Sequence, residues 1–109
     1  MATGRLGAAS LTTTVNNSVY TCPPTTFSVC TVSICNQSST VNATINIAVA
    51  SAATPTTAEY IEYGTTLLPN GVLERTGLVL DAGKIIVVNG TFASGAVSVV
   101  VMGIETSTA

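Results

Sequence analysis

Apolar and polar residues alternate along most of the chain from residue 18 onward, a pattern typical of half-buried β-strands. The clearest strand is predicted for residues 40–50. Its apolar face carries Val41, Ala43, Ile45, Ile47 and Val49, and its polar face carries Asn42, Thr44 and Asn46. A strand with two such different faces suits an antiparallel sheet with one side on the core and the other open to solvent or to a partner.

Six further segments also read as strands. They are residues 19–21, 27–36, 59–63, 72–80, 84–88 and 96–105. Gly77 predicts a bend in the fifth of these seven strands. Pro69, Asn70 and Gly71 predict a tight turn after Leu68. Residues 81–83 are expected to close a hairpin, and Asn89-Gly90 to form the last turn.

The predicted last strand is apolar on both faces over residues 99–102. Such a strand is expected in the middle of a sheet or covered on both sides. About seven short strands and no convincing helical period predict an all-β fold: a single antiparallel β-sandwich, either immunoglobulin-like or jelly-roll.

The first 17 residues show no sustained period. We therefore expect an extended N-terminal arm over residues 1–17 that precedes a β-sandwich over residues 18–109. Such an arm lies free or on a neighbouring subunit. Arg5, Leu6 and Leu11 are the residues expected to clamp that neighbour.

Composition changes this picture in one respect. Only 7% of the residues are charged, whereas ordinary domains carry about 25%. Hydroxyl and amide groups cost far less to bury than ions. This composition therefore favours a subunit whose surface is covered by neighbouring subunits in an assembly. Arg5, Arg75 and Lys84 are the only basic residues, too few and too scattered for nucleic acid.

The chemistry of catalysis and of metal binding is sparse. The chain has no histidine and no tryptophan, which excludes imidazole bases and imidazole ligands. Within the predicted strand 59–63, Tyr60 and Tyr63 are expected on opposite faces. Glu59 and Glu62 are also expected on opposite faces, unlike a glycosidase pair. We therefore expect no enzyme, no catalytic residue, no metal and no cofactor.

Cys22, Cys30 and Cys35 are an odd number of cysteines in a spacing that matches no zinc motif. Cys30 and Cys35 are expected on opposite faces of a strand, so they cannot easily bridge each other. Buried free thiols are the favoured reading, and a disulfide involving Cys22 is the alternative.

Two further features concern location. The most apolar stretch, residues 85–104, is interrupted by Asn, Gly, Thr and Ser, so no membrane span is expected. The first residues contain one Arg with no apolar run behind it, so no signal peptide is expected.

The segment AEYIEYGTTLLPNGVLERTGLVLDAGKIIVV, residues 58–88, resembles small virion structural proteins of tailed bacteriophages, cyanophages in particular. The segments SICN, residues 33–36, and VVVMGIE, residues 99–105, extend the resemblance. It implies a particle component made in the host cytoplasm, with other virion proteins as partners: the major capsid protein or tail subunits. It implies no catalytic or binding site.

Three functions follow as hypotheses. The first is a capsid decoration (cement) protein that acts by burying surface, as a homo-oligomer for which a trimer is one candidate. The second is a tail, neck or fibre subunit. The third is a receptor- or glycan-binding module on the particle. The candidate assembly contacts are Arg5, Leu6, Leu11, Asn42, Thr44, Asn46, Tyr60 and Tyr63.

Overall fold

The computed structural model describes residues 3–108 and is all-β, as the alternating pattern predicts. Eight strands form two antiparallel sheets, and a three-residue 3-10 turn, Thr57–Glu59, precedes the fifth strand. The strands are β1 Thr3–Ser10, β2 Asn17–Thr21, β3 Thr26–Asn36, β4 Ala43–Ala50, β5 Tyr60–Leu67, β6 Val72–Leu80, β7 Ile85–Thr91 and β8 Val97–Ser107. No helix in this part of the chain is long and apolar enough to span a membrane.

The strand order follows one rule. Sheet A has the order β1-β8-β3-β6 and sheet B the order β2-β7-β4-β5. The first strand therefore pairs with the last, the second with the seventh, the third with the sixth and the fourth with the fifth. The chain is one long hairpin whose tip is the β4–β5 connection. Folding this hairpin over brings β3 beside β8 and β4 beside β7.

One hydrophobic core lies between the sheets, built from every second residue of the strands. Both sheets contribute fully buried β-branched and leucine side chains to it. The largest are Leu11, Val32, Ile34, Ile45, Ile47, Leu80, Ile86, Val88, Val97, Val99 and Val101. The chain has no tryptophan, so Val and Ile, which suit a pleated surface, fill this space.

Two polar contacts join the sheets at the margins of the core. At one edge Arg75 of β6 forms an ion pair with Glu62 of β5. Arg75 thus finds its partner on another strand, because the side chain of its neighbour Glu74 points to the opposite side of sheet A. On the other side the Tyr20 hydroxyl donates to the Glu105 carboxylate at 2.6 Å. Burial of the hydroxyl raises the pKa of Tyr20, and this hydrogen bond raises it further.

The N-terminal segment differs from the predicted arm. Residues 3–10 form β1, an edge strand that pairs with β8 of the same chain from Thr3↔Ile104 to Ser10↔Ser98. Leu11 is buried in the core, and Leu6 packs against it. The correction has a physical cause, since pairing with the apolar β8 satisfies a backbone whose own side chains carry little periodicity. Residues 1 and 2 of the predicted arm lie outside the described residues.

The predicted connections are correct in one case and wrong in two. Residues 68–71 form the expected turn: the Gly71 amide donates to the Leu68 carbonyl and Asn70 has a φ of 59°. Residues 81–83 close no hairpin, because they lead from β6 in sheet A to β7 in sheet B. Asn89-Gly90 forms no turn but lies within β7, opposite Asn46 and Ile45.

If β1 belongs to the domain, the residue that follows it must support folding. We predict that Leu11→Ala lowers the free energy of unfolding by about 2–5 kcal/mol, the usual loss for a leucine truncated in a core. Leu68→Ala, at a leucine that is 62% exposed, is the matched control. It should change stability by less than about 0.5 kcal/mol. Equal urea midpoints for the two variants would contradict this placement of Leu11.

Candidate functional surfaces

The outer side of sheet A carries a contiguous apolar patch. On β3 the residues between the core positions point outward, as do their partners on β6 and β8. Val29 pairs with Val79 on one side and with Ile104 on the other. We define the apolar face as these three residues together with Phe27 and Met102; Val79 is 66% exposed and Ile104 is 54% exposed.

No element within residues 3–108 covers the apolar face. The last strand, β8, is central in sheet A, as expected, but its outward residues Met102 and Ile104 remain exposed. Exposed patches of this kind on a soluble domain mark interaction surfaces. The alternating pattern of β3 is sufficient to place Phe27 and Val29 on the side of the strand opposite to Cys30 and Val32.

Charges on this side of sheet A stand at its two edges. Arg5 of β1 pairs with Met102 of β8, which pairs in turn with Thr31 of β3. Glu74 of β6 pairs with Ser33, two residues further along β3. Both side chains are exposed, and neither has an ion-pair partner within the described part of the chain. The predicted contact residue Arg5 therefore borders the apolar face, at the edge opposite Glu74.

The outer side of sheet B is different, because amides and tyrosines line it. Asn46 of β4 donates from Nδ2 to Asn89 Oδ1 at 2.7 Å. Asn89 Nδ2 in turn donates to Asn16 Oδ1 at 2.8 Å and to the Tyr60 hydroxyl at 2.9 Å. We call these four residues, together with Tyr63, the tyrosine–amide face.

Tyr60 and Tyr63 lie on the same side of β5, which corrects the prediction that they face opposite ways. Their ring centroids are 5.2 Å apart, with the planes at 82°. The alternation is interrupted by two register shifts between β4 and β5, each of which adds one residue on β5. Ile61 is the residue added by the shift that lies between Tyr60 and Glu62, and it packs against the core. A bulge of this type re-aims the side chains that follow it.

Local hydrogen bonds hold the bulge and the adjoining loop. Gly64 has a φ of 69°, and its amide donates to Asn46 Oδ1 at 2.7 Å. In the β4–β5 loop the Glu59 carboxylate accepts from the Thr56 and Ser51 amides at 2.9 and 3.1 Å. These bonds lower the pKa of Glu59. The carboxylate therefore stays ionised at neutral pH, where it accepts both hydrogen bonds.

Two clefts open on the tyrosine–amide face. One, of about 380 Å³, is lined by Thr57, Tyr60 and Tyr63. The other, of about 520 Å³, is lined by Asn16, Asn46 and Asn89 and by the neighbouring residues Thr14, Val15, Gly90 and Thr91. The hydrogen bond from Asn89 to Tyr60 lies between them.

The remaining candidate residues separate into two groups. Thr44 lies on the outer side of sheet B, opposite Thr66 and Thr91, and Asn42 is exposed just before β4. Leu6 and Leu11 face the core of their own chain, so they are not available to clamp a neighbour. Sequence reasoning missed Asn16 and Asn89. The latter was placed in a turn, and the pairing of β4 with β7 could not be read from local pattern.

Groups for metal or acid–base chemistry do not converge. Within the described residues no three side chains of Cys, Asp or Glu cluster as metal ligands would. Glu59 and Glu62 serve separate partners, the β4–β5 loop and Arg75. The three cysteines are free thiols. Cys22 donates weakly to backbone carbonyls in the core, and burial raises the pKa of Cys30 to about 11.

Comparison with known proteins adds no further constraint. The chain matches no protein-family model, no curated protein and no solved structure.

The three thiols should differ in reactivity. We predict that iodoacetamide at neutral pH modifies Cys35, which is partly exposed on the outer side of sheet A, and leaves Cys22 and Cys30 unmodified until urea unfolds the chain. Intact-mass spectrometry should show one label on the native chain in dilute solution and three on the unfolded chain. Two or more labels on the native chain would contradict the buried positions of Cys22 and Cys30.

Proposed function

We propose that this chain is a structural subunit of a bacteriophage particle, most closely a capsid decoration (cement) protein, and that it acts by burying surface against neighbouring subunits. The observation that carries the proposal is the uncovered apolar face of sheet A. A tail, neck or fibre subunit is the second assignment, because it would use the same surface at another position on the particle. The proposal gives the chain no catalytic activity.

The strand order supports this proposal. We propose that the two sheets form a β-sandwich of jelly-roll type rather than an immunoglobulin-like one. Pairing of the first strand with the last, continued inward to the fourth with the fifth, is what a folded long hairpin produces. Jelly rolls recur in viral capsid and lectin domains. Because one fold serves many functions, the strand order does not by itself assign a particle role. The main support for the proposal comes from the outer surfaces of the two sheets.

The whole outer side of sheet A, of which the apolar face is a part, is close in size to a standard interface. Four strands spaced about 4.8 Å apart span about 19 Å, and the central strands, β3 and β8, are 11 residues long. At about 3.3 Å per residue the sheet is about 36 Å long, so this side covers about 700 Å². A standard interface buries about 800 Å² per partner.

The occupant we propose is a second copy of the chain. With Arg5 at one edge and Glu74 at the other, turning a copy over about an axis parallel to the strands sets each Arg5 edge against a Glu74 edge. The apolar residues then meet in the centre. A contact of this kind is self-complementary, as a two-fold interface requires. A ring of three copies would also bring the Arg5 edge of one copy to the Glu74 edge of the next.

We predict that charge reversal at one edge weakens self-association and that reversal at both edges restores it. Arg5→Glu and Glu74→Arg should each raise the dissociation constant at least about tenfold, since like charges then meet. The double variant should return towards the unaltered chain. Sedimentation equilibrium over a concentration series measures all four proteins.

Val29→Lys places a charge in the centre of the apolar face and should abolish association, because an unpaired ion is costly to desolvate. Leu68→Lys is the matched control, at an exposed leucine in the turn between β5 and β6, and should leave association unchanged. A chain that sediments as a monomer at every concentration would overturn the proposed self-association.

Quantitative mass spectrometry of purified phage particles tests the role itself. The chain should co-purify with intact particles, and its copy number relative to the major capsid protein separates decoration from a tail position. Many copies per particle indicate decoration, and few indicate a tail, neck or fibre part. Absence from intact particles would refute a virion role.

A further inference from the structure

The tyrosine–amide face is not used by the proposed self-association, because it lies on the opposite side of the molecule. We propose that it is a binding site for a neutral oligosaccharide. The aromatic cleft at Tyr60 and Tyr63 would take the apolar face of one sugar ring, and the amide cleft at Asn16, Asn46 and Asn89 would take the hydroxyl groups of the next. This proposal stands independently of the particle role.

The rings of Tyr60 and Tyr63 are held in place by neighbouring groups. Tyr60 reaches from β5 across the small Ala48 of β4 to hydrogen-bond with Asn89 of β7, which fixes its ring over the sheet. Tyr63 is 76% exposed and meets the Tyr60 ring edge to face. A ring so fixed offers a large contact area at little loss of side-chain freedom. Sugar rings present C–H groups on one face, and these pack against such aromatic surfaces.

The neighbouring polar groups are pre-aligned and retain hydrogen-bonding capacity. Asn89 uses both Nδ2 protons and its Oδ1 within the amide chain, so it orients Asn16, Asn46 and Tyr60. The Tyr60 hydroxyl accepts from Asn89, which leaves its own proton for a ligand. Asn16 accepts through Oδ1 and keeps its two Nδ2 protons. Apolar clefts with a few convergent polar groups are the usual form of small-molecule sites.

The charges favour a neutral ligand. None of the residues that line the two clefts is a cation or a carboxylate. The nearby acids, Glu59 and Glu62, are engaged with the β4–β5 loop and with Arg75. Arg5 lies on the other sheet, and Lys84 pairs with Asp81 in the β6–β7 connection. An acidic sugar would therefore find no counter-charge at the two clefts, whereas a neutral one needs none.

Saturation-transfer NMR and tyrosine fluorescence titration test the site, and the absence of tryptophan leaves tyrosine as the fluorophore. The probes are the neutral trisaccharides maltotriose, cellotriose and chitotriose, with the acidic trigalacturonate for comparison. We expect at least one neutral probe to bind, and trigalacturonate to bind at least about tenfold more weakly. Binding of none of the three neutral probes, or preferred binding of trigalacturonate, would overturn the proposal.

Variants locate the binding. Tyr63→Ala should weaken the bound neutral probe at least about tenfold, Tyr63→Phe should retain it because the ring remains, and Asn16→Ala should weaken it several-fold. Leu68→Ala removes an exposed apolar side chain that belongs to neither face and is the matched control. Because Tyr63 is highly exposed, its variants should keep the thermal midpoint of the unaltered chain. Equal affinity of Tyr63→Ala and Leu68→Ala would refute this site.

Discussion

The ladder between β3 and β8 is the interaction on which both sides of the molecule depend. It joins residues 26–36 to residues 97–107 without a register shift, so the last strand of the chain lies beside the third. One face of this ladder supplies Val32, Val99 and Val101 to the core. The other supplies Val29, Met102 and Ile104 to the apolar face. The same alternation that makes the domain stable therefore leaves an apolar surface outside it.

The two outer faces differ because neighbouring strands pair different kinds of side chain in the two sheets. Sheet A carries apolar side chains in register, with single charges at its edges. Sheet B carries amides in register at Asn46 and Asn89, and a bulge in β5 adds two tyrosines to them. The side chains of the apolar face form no hydrogen bonds with water, and contact with another copy removes their apolar surface from water. The tyrosine–amide face is suited to hydroxyl-rich ligands. In the proposed dimer the two apolar faces meet, and the tyrosine–amide face of each copy stays exposed.

Much of the fold was predictable from local pattern, and the errors share one cause. Seven of the eight strands overlap their predicted ranges, because alternation is a local property of the sequence. What failed was long-range: β1 shows no period of its own and is defined by its partner β8. Asn89-Gly90 resembles a turn but pairs with β4. Tyr60 and Tyr63 were named as candidate contacts, but they were placed on opposite faces because the sequence does not show the bulge that reverses the alternation within β5. Arg5 was among the predicted contact residues, and its place at the edge of the apolar face follows only from the pairing of β1 with β8.

Hydroxyl-radical footprinting at increasing protein concentration tests whether a second copy covers the apolar face while the tyrosine–amide face stays open. Met102 and Phe27 report on the first face, and Tyr63 reports on the second. Oxidation of Met102 and Phe27 should fall as the protein concentration rises, whereas oxidation of Tyr63 should stay constant. Equal oxidation of Met102 at all concentrations, or protection of Tyr63 in its place, would contradict this arrangement.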